Sequence, residues 1–288
     1  MAAKILDGSS LAKKIKDQIK QEIITLIEKG FSKPKLVVLM VGNNYSSQKY
    51  VTHKIKACEY CGIDSEIIRL DENITEEELD IKIDELNNNP SIHGILVQFP
   101  LPKPIRKRDI MLKISYQKDV DGFNPLNMGR LAQDNADVQA CTPFGIMKLL
   151  DEYNISCEGK HAVIIGRSQI VGRPMALMLL NEKAVITITH RYISDLKYFT
   201  KLGDIVISAT GRPKSITADM IKDGAICIDV GISQNEKGKL SGDFDFDEVS
   251  KKASWITPVP GGVGPMTVAM LMYNQLQVYK KYAIKIID

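Results

Sequence analysis

The sequence predicts an α/β protein of two domains, the C-terminal one a Rossmann-like nucleotide-binding domain. Three observations carry this. Apolar strand-like runs alternate with helical runs through both halves of the 288 residues, the pattern of a largely parallel sheet with helices on its faces. The alternation breaks once, over residues 116–145, where YQKDVDGFNPLNMGRLAQDNADVQACTPFG is rich in Asp, Asn, Gly and Pro. Irregular connections of that length serve a site or join domains. Beyond it, HAVIIGRSQIVGRPMALML reads as strand, Gly-containing turn and helix, an arrangement that aims backbone N–H groups and a helix N-terminus at a pyrophosphate.

Element by element, Ser9 or Ser10 is expected to cap a first helix with Leu11, Ile15, Ile19, Ile23 and Ile27 on one face and Gly30 at its end. KLVVLMV (35–41) is a buried strand and opens a helix; SEIIRL (65–70) precedes a helix whose Thr75-x-x-Glu78 has the capping-box form. GILVQF (94–99) and a short basic helix follow, then the irregular stretch. Strands are expected at HAVIIG (161–166), VITIT (185–189), DIVISAT (204–210), AICIDVGI (225–232) and SWITPV (254–259). A last helix runs from about Met266 to Lys281, with Val268, Leu271, Met272 and Leu276 as its apolar face. The expected domains are residues 1–140 plus 265–288, and 141–264. The tight V-P-G-G turn predicts a cis peptide before Pro260.

The composition, 44% hydrophobic and 25% charged, is that of a globular protein with real cores. Net charge is +3 from 38 basic and 35 acidic residues, and the densest basic run, KPIRKRD (103–109), is short. A nucleic-acid surface needs a longer basic stripe with interleaved aromatics. The run reads as a solvated patch able to attract an anionic substrate tail. No signal peptide or membrane-length apolar run is present, so a cytoplasmic protein is expected. Five cysteines make an odd count that argues against a disulfide framework. Cys58-x-x-Cys61 falls late in a helix with no second pair, so it reads as core and not as a zinc or redox motif.

Two stretches carry candidate chemistry. In VGNNYSSQKYVTHKIKACEYCGI (41–63), Ser47, Tyr50 and Lys54 share one helix face beside the apolar stripe of Val51, Ile55 and Cys58. Alone, this fits either amphipathic stems with polar tips in water or a substrate face. In the second half, Gly166 is followed by Ser168 where a G-x-G-x-x-G turn has its second glycine, and the later glycine is displaced to Gly172. The next strand ends in His190-Arg191, where an acid would meet a free ribose hydroxyl. Positive charge there suits a 2′-phosphate and points to NADP over NAD.

Together these stretches resemble, over the whole chain, the bifunctional methylenetetrahydrofolate dehydrogenase/methenyltetrahydrofolate cyclohydrolase family. The carrying segments are VGNNYSSQKYVTHKIKA, GILVQFPLP, KDVDGFNP, CTPFGI, VIIGRSQIVGRP, ISATGRP, DVGI, GDFDF and TPVPGGVGPMTVAML. The resemblance implies an N-terminal α/β substrate domain with an active-site cleft between it and the C-terminal domain, tetrahydrofolate derivatives as substrates, NADP as cofactor, no need of a metal, and a homodimer. It implies Tyr50 as the stacking platform for the folate ring, Lys54 as the essential amine of the cyclohydrolase step, Gln98 as its holder and Asp121 as the carboxylate that bonds the pterin. Ser47, Pro100 and Leu101 join that face, and Gly262, Val263 and Pro265 match the turn that closes over it. Gly166, Arg167, Ser168, Val171, Gly172, His190, Arg191, Thr210, Gly211 and Ile232 fall where the family contacts NADP. The family's strand-two ending C-H-x-x-T is here Thr189-His190-Arg191-Tyr192-Ile193, a departure that bears on cofactor preference. A third, ligase-like activity is not expected on this chain.

The implied chemistry separates two demands. Oxidation leaves a cation stabilised by the folate's own nitrogens, so alignment dominates. Hydrolysis needs a proton moved, the task expected of Lys54. The rival readings are a dehydrogenase-only relative, a non-catalytic folate-binding protein and an unrelated NADP dehydrogenase. Lys54 with Gln98, an intact nucleotide turn, and residues 41–63 argue against each in turn.

Overall fold

The computed structural model describes residues 2–234 and 240–285. In chain order the elements are β1 (Lys4–Ile5), α1 (Gly8–Glu28), β2 (Lys35–Val41), α2 (Tyr45–Cys61), β3 (Asp64–Leu70), α3 (Glu76–Asn88), β4 (Gly94–Val97), α4 (Lys107–Lys113) and α5 (Pro125–Ala132). Then follow α6 (Cys141–Glu152), β5 (His161–Ile165), α7 (Gly172–Asn181), β6 (Val185–Thr189), α8 (Leu196–Leu202), β7 (Ile205–Ser208) and β8 (Ile226–Asp229). The chain continues through β9 (Ser233–Gln234), β10 (Leu240–Ser241), α9 (Phe246–Val249), β11 (Trp255–Ile256) and α10 (Val263–Val278). The residues form two units, Lys13–Gln139 with Val268–Asp288, and Met1–Ala12 with Ala140–Thr267.

The first unit is built on a parallel three-stranded sheet in the order β3-β2-β4. β2 is central and apolar on both faces, as KLVVLMV requires of a strand covered on each side. Val37, Leu39 and Val41 form one core with Leu79, Ile83 and Leu86 of α3 and with Ile95 and Val97 of β4. The capping box of α3 is complete: the Glu78 N–H donates to Thr75 Oγ1 at 3.1 Å, and the Thr75 N–H donates to Glu78 Oε2 at 2.8 Å. On α10, the Asn274 amide donates to the carbonyls of Val120 (2.9 Å) and Gln139 (2.8 Å), anchoring both ends of the long connection.

The second unit is a six-stranded sheet, β1-β11-β8-β7-β5-β6, parallel at every pairing. After the edge strand β1, the chain returns to this sheet at β5, adds β6 on one side, then crosses back to lay β7 on the other. That reversal creates a crevice at the carboxyl ends of β5 and β7, where open α/β sheets bind ligands.

Four expectations change. Residues 1–12, expected in the first domain, belong to the second unit, because Lys4 and Ile5 pair with Trp255 and Ile256. Asp7, not Ser9 or Ser10, caps α1 by accepting the Ser10 N–H (3.0 Å) and hydroxyl (2.6 Å). The stretch 116–145 is not wholly irregular: Asn124 accepts the Leu126 N–H at 2.8 Å and Pro125 takes the first turn of α5. The last helix starts three residues early, at Val263, and gives way to a π-helical turn over Tyr279–Ala283. The Val259–Pro260 bond is cis, as are Phe99–Pro100 and Lys103–Pro104. Among the described residues no helix is long and apolar enough to cross a membrane.

Candidate active site

The expected folate face is assembled by strand ends and one capped helix. β2 ends at Val41, Gly42 turns the chain at φ +70°, and Asn44 caps α2 by accepting the Ser47 N–H at 3.0 Å. The buried Ser47 hydroxyl donates to the same oxygen at 3.3 Å, so it secures the first turn. From that turn the helix presents Tyr50, 43% exposed, and one turn later the half-buried Lys54. Across from them the Gln98 N–H donates to the Leu39 carbonyl at 2.9 Å, continuing the β4–β2 ladder one residue past the strand. The side chain of Gln98 is buried and fixed at both ends. Its Nε2 donates to the Phe99 carbonyl at 2.7 Å, and its Oε1 accepts from Lys54 Nζ at 3.0 Å. After the cis Phe99–Pro100 bond, Pro100 is exposed and Leu101 packs back on the core.

Asp121 comes from a loop wound around a second carboxylate, Asp119. The fully buried Asp119 accepts the N–H groups of Gly122 (3.0 Å) and Asn124 (2.8 Å) and the Asn127 amide (2.9 Å). Its own pKa is pushed up by burial and held back by those hydrogen bonds. Burial pushes the Asp121 carboxyl up to about 6; Lys54 and Lys107 pull it down and Asp119 pushes it further up. Lys54, Gln98 and Asp121 are thus brought together, with Lys107 as a neighbour that the sequence reading left in a solvated patch.

Gly262, Val263 and Pro265 lie in the second unit, at the start of α10. The turn before it closes through the Gly262 N–H to the Pro258 carbonyl at 2.9 Å, and the Gly261 carbonyl accepts the Ser9 N–H at 2.9 Å. A Cβ on Gly8 would fall 1.9 Å from the Gly262 oxygen, so the start of α1 and this turn meet backbone to backbone.

The nucleotide turn follows β5. Gly166 sits at φ +132°, and a Cβ on Gly172 would lie 2.0 Å from the Gly166 oxygen, so α7 starts in backbone contact with the turn. Ser168, where the motif has glycine, accepts the N–H groups of Val171 (3.1 Å) and Gly172 (3.4 Å) and so closes the turn with its side chain. Arg167 and Ser168 are exposed above it. At the end of β6, His190 and Arg191 are exposed, and Arg191 donates to the Tyr192 hydroxyl at 2.7 Å. On the β7 side, the buried Asp243 accepts from the Ser208 hydroxyl (2.8 Å), the Thr210 N–H (2.7 Å) and the Arg212 N–H (2.9 Å), fixing the turn that holds Thr210 and Gly211. Asp229 in turn accepts the N–H groups of Gly231, Asp243 and Phe244, each at 2.9 Å, which sets the path to the exposed Ile232. These two aspartates were not singled out by sequence, because their partners lie up to 35 residues away. An open glycine turn at the switch point, with cations and no carboxylate ending β6, fits a dinucleotide carrying a 2′-phosphate.

Comparison with known proteins also divides the chain shortly before residue 140. Residues 6–121 match the catalytic domain of tetrahydrofolate dehydrogenase/cyclohydrolase, and residues 140–283 its NAD(P)-binding domain. The chain is 54% identical over 284 residues to the bifunctional protein FolD of Sulfurihydrogenibium sp., covering 98% of this chain and 99% of that one. The crystal structure of FolD methylenetetrahydrofolate dehydrogenase/cyclohydrolase from Campylobacter jejuni is 50% identical, with a TM-score of 0.94 over 97% of this chain and 99% of that one. The Trypanosoma brucei methylenetetrahydrofolate dehydrogenase-cyclohydrolase, solved with NADP and an inhibitor, is 37% identical with a TM-score of 0.93 over 98% of each. With both halves matched in order and nearly the whole length covered, the chain belongs to the tetrahydrofolate dehydrogenase/cyclohydrolase family.

Proposed function

We propose that this enzyme carries out both reactions of its family in succession: oxidation of 5,10-methylenetetrahydrofolate with NADP to the 5,10-methenyl cation, then hydrolysis to 10-formyltetrahydrofolate. The observation that carries the second activity is the Lys54–Gln98 hydrogen bond at 3.0 Å beside Asp121. Tyr50 offers an exposed ring for the folate to stack on, with Ser47, Pro100 and Leu101 shaping that face. Asp121 accepts hydrogen bonds from the pterin. Gly262, Val263 and Pro265 complete the substrate contacts.

NADP, when bound, accepts the hydride. The residues assigned to hold it are Gly166, Arg167, Ser168, Val171 and Gly172 at the pyrophosphate, His190 and Arg191 at the 2′-phosphate, and Thr210, Gly211 and Ile232 on the far side of the crevice. In the first step the chain aligns the folate; the resulting cation is stabilised by the substrate's own nitrogen lone pairs. In the second step water adds to the methenyl carbon, and Lys54 moves the proton that ring opening requires. Gln98, held by Phe99, keeps the amine aimed at that carbon.

A continuous absorbance assay with methylenetetrahydrofolate and either NADP or NAD tests the proposal. Methenyltetrahydrofolate is expected to appear and then decay, faster with NADP. A methenyl product that accumulates and decays no faster than without enzyme would leave a dehydrogenase alone.

The proposal includes a cytoplasmic homodimer. None of the five cysteines is in a disulfide, which suits a reducing compartment. The sheet of the second unit ends at β6, whose exposed Val185 and Ile188 offer a second copy an edge to cover. Light scattering on the purified protein and on a Val185→Lys/Ile188→Lys variant reads this directly: a dimer is expected for the first and monomer for the second.

A further inference from the structure

The basic run KPIRKRD divides in the folded chain. Arg106 pairs at the surface with Glu76 (3.2 Å) and Asp109 (2.7 Å). Lys107 is half-buried instead, with Nζ 4.3 Å from the centroid of the Phe99 ring. Phe99 is the residue whose carbonyl holds the Gln98 amide, so Lys107 packs on the support of the Lys54 pair. It also acts on Asp121, which lines a small pocket with Phe99 and Asp119. Two cations from different elements, Lys54 of α2 and Lys107 of α4, therefore act on the Asp121 charge, with Asp119 as the like charge two residues before it.

Two cations for one carboxylate make sense where one cation must change its charge. When Lys54 gives up a proton, a half-buried Asp121 without Lys107 would be a poorly compensated anion, and such a group is costly enough to take up a proton itself. A protonated Asp121 loses acceptor capacity and would bind the pterin differently. Lys107 stands outside the proton transfer, and its seat over an aromatic face is one that favours a retained positive charge.

We propose that Lys107 is a positioning residue of the folate site: its ammonium, seated over Phe99, keeps Asp121 an acceptor carboxylate while Lys54 exchanges its proton. The proposal rests on the roles given to Lys54 and Asp121 above. Burial holds the Lys107 amine below the usual lysine range and the Asp121 charge draws it back up, as expected of two groups that sense each other.

The test uses the full chain, its Lys107→Met, Lys107→Gln and Lys107→Arg variants, and Asp121→Asn to assign the signal. Carbon NMR of aspartate-labelled protein follows the Asp121 carboxyl from pH 4 to 8, and the acid limb of kcat/KM for methylenetetrahydrofolate is measured over the same range. In Lys107→Met and Lys107→Gln, Asp121 is expected to titrate about half to one pH unit higher. The acid limb should move with it through KM and not kcat, and Lys107→Arg should restore both. An Asp121 titration unmoved in either neutral variant that keeps the wild-type thermal midpoint overturns the proposal. An unchanged folate KM in Asp121→Asn would overturn the underlying role of Asp121 instead, so the two failures are told apart.

Discussion

Lys54 and Gln98 form a hydrogen-bonded pair across two elements, Nζ to Oε1 at 3.0 Å, and the pair is oriented by the second bond from Gln98 Nε2 to the Phe99 carbonyl. An amide that is free to flip offers an amine either a donor or an acceptor. With its nitrogen committed to a backbone carbonyl, Gln98 can present only oxygen.

Replacing Lys54 with Met keeps the stem and removes the amine. Cyclohydrolase turnover is expected to fall by about 10²–10⁴-fold, while dehydrogenase turnover falls much less and methenyltetrahydrofolate accumulates. Tyr50→Ala should weaken folate binding in both steps. Parallel measurement of the two rates in each variant decides the point: equal losses in Lys54→Met would refute the division of labour.

Arg191 is expected to set cofactor preference, since no carboxylate ends β6 and its guanidinium is exposed. Arg191→Ala should raise the Kd for NADP by at least about tenfold, or about 1.4 kcal/mol, with little change for NAD. Calorimetric titration of each cofactor into the folded variant checks it.

The glycines of the nucleotide turns should not be equally sensitive. At Gly172 a methyl group would meet the Gly166 oxygen at 2.0 Å, and backbone cannot move aside as a side chain can. Gly172→Ala should cost about 1–3 kcal/mol and weaken NADP binding by displacing α7. At Gly211 nothing lies within 4 Å and only its φ of +66° opposes a side chain; Gly211→Ala should cost about 1 kcal/mol. Thermal midpoints of the two variants, measured with and without NADP, test the ranking.

Asp229 should give stability a definite slope with pH. Burial pushes its carboxyl up to about 6, against the pull of its three N–H donors. In the unfolded chain it titrates near its ordinary value of about 3.9. Between those values the folded protein holds a proton that the unfolded chain has released, so this contribution is full at low pH and is lost as pH rises through about 6. The advantage of wild type over Asp229→Asn is therefore expected to shrink by about 2–3 kcal/mol from pH 4 to pH 7, at 1.36 kcal/mol per pKa unit. Urea unfolding at both pH values reads the difference, and a constant gap would count against it.

Much of this was legible in the sequence where the signal was local. The apolar runs gave the strands, Thr75-x-x-Glu78 gave a helix start, and V-P-G-G gave the cis bond at Pro260. The Ser47, Tyr50 and Lys54 face was visible as a spacing, but its meaning waited on Gln98, 44 residues away. What was missed depends on distant partners. The cap on α1 is an aspartate that reads as part of a loop until the helix is seen to start at Gly8. Residues 1–12 join the nucleotide unit through a two-residue strand too short to carry a periodicity. Lys107 looks like its neighbours Arg106 and Arg108 in a basic run, and only packing turns it toward Phe99 and Asp121.

The cysteines carry a practical consequence. All five are buried, and burial pushes the thiols of Cys58 and Cys227 up to about 12 and those of Cys61 and Cys157 up to about 11. At neutral pH almost none of that sulfur is thiolate, the form that attacks maleimides and disulfides. Those four thiols thus form a chemically quiet background for labelling. One cysteine introduced at an exposed position such as Glu59 or Tyr198 would carry a fluorophore at a known place, without first deleting those four.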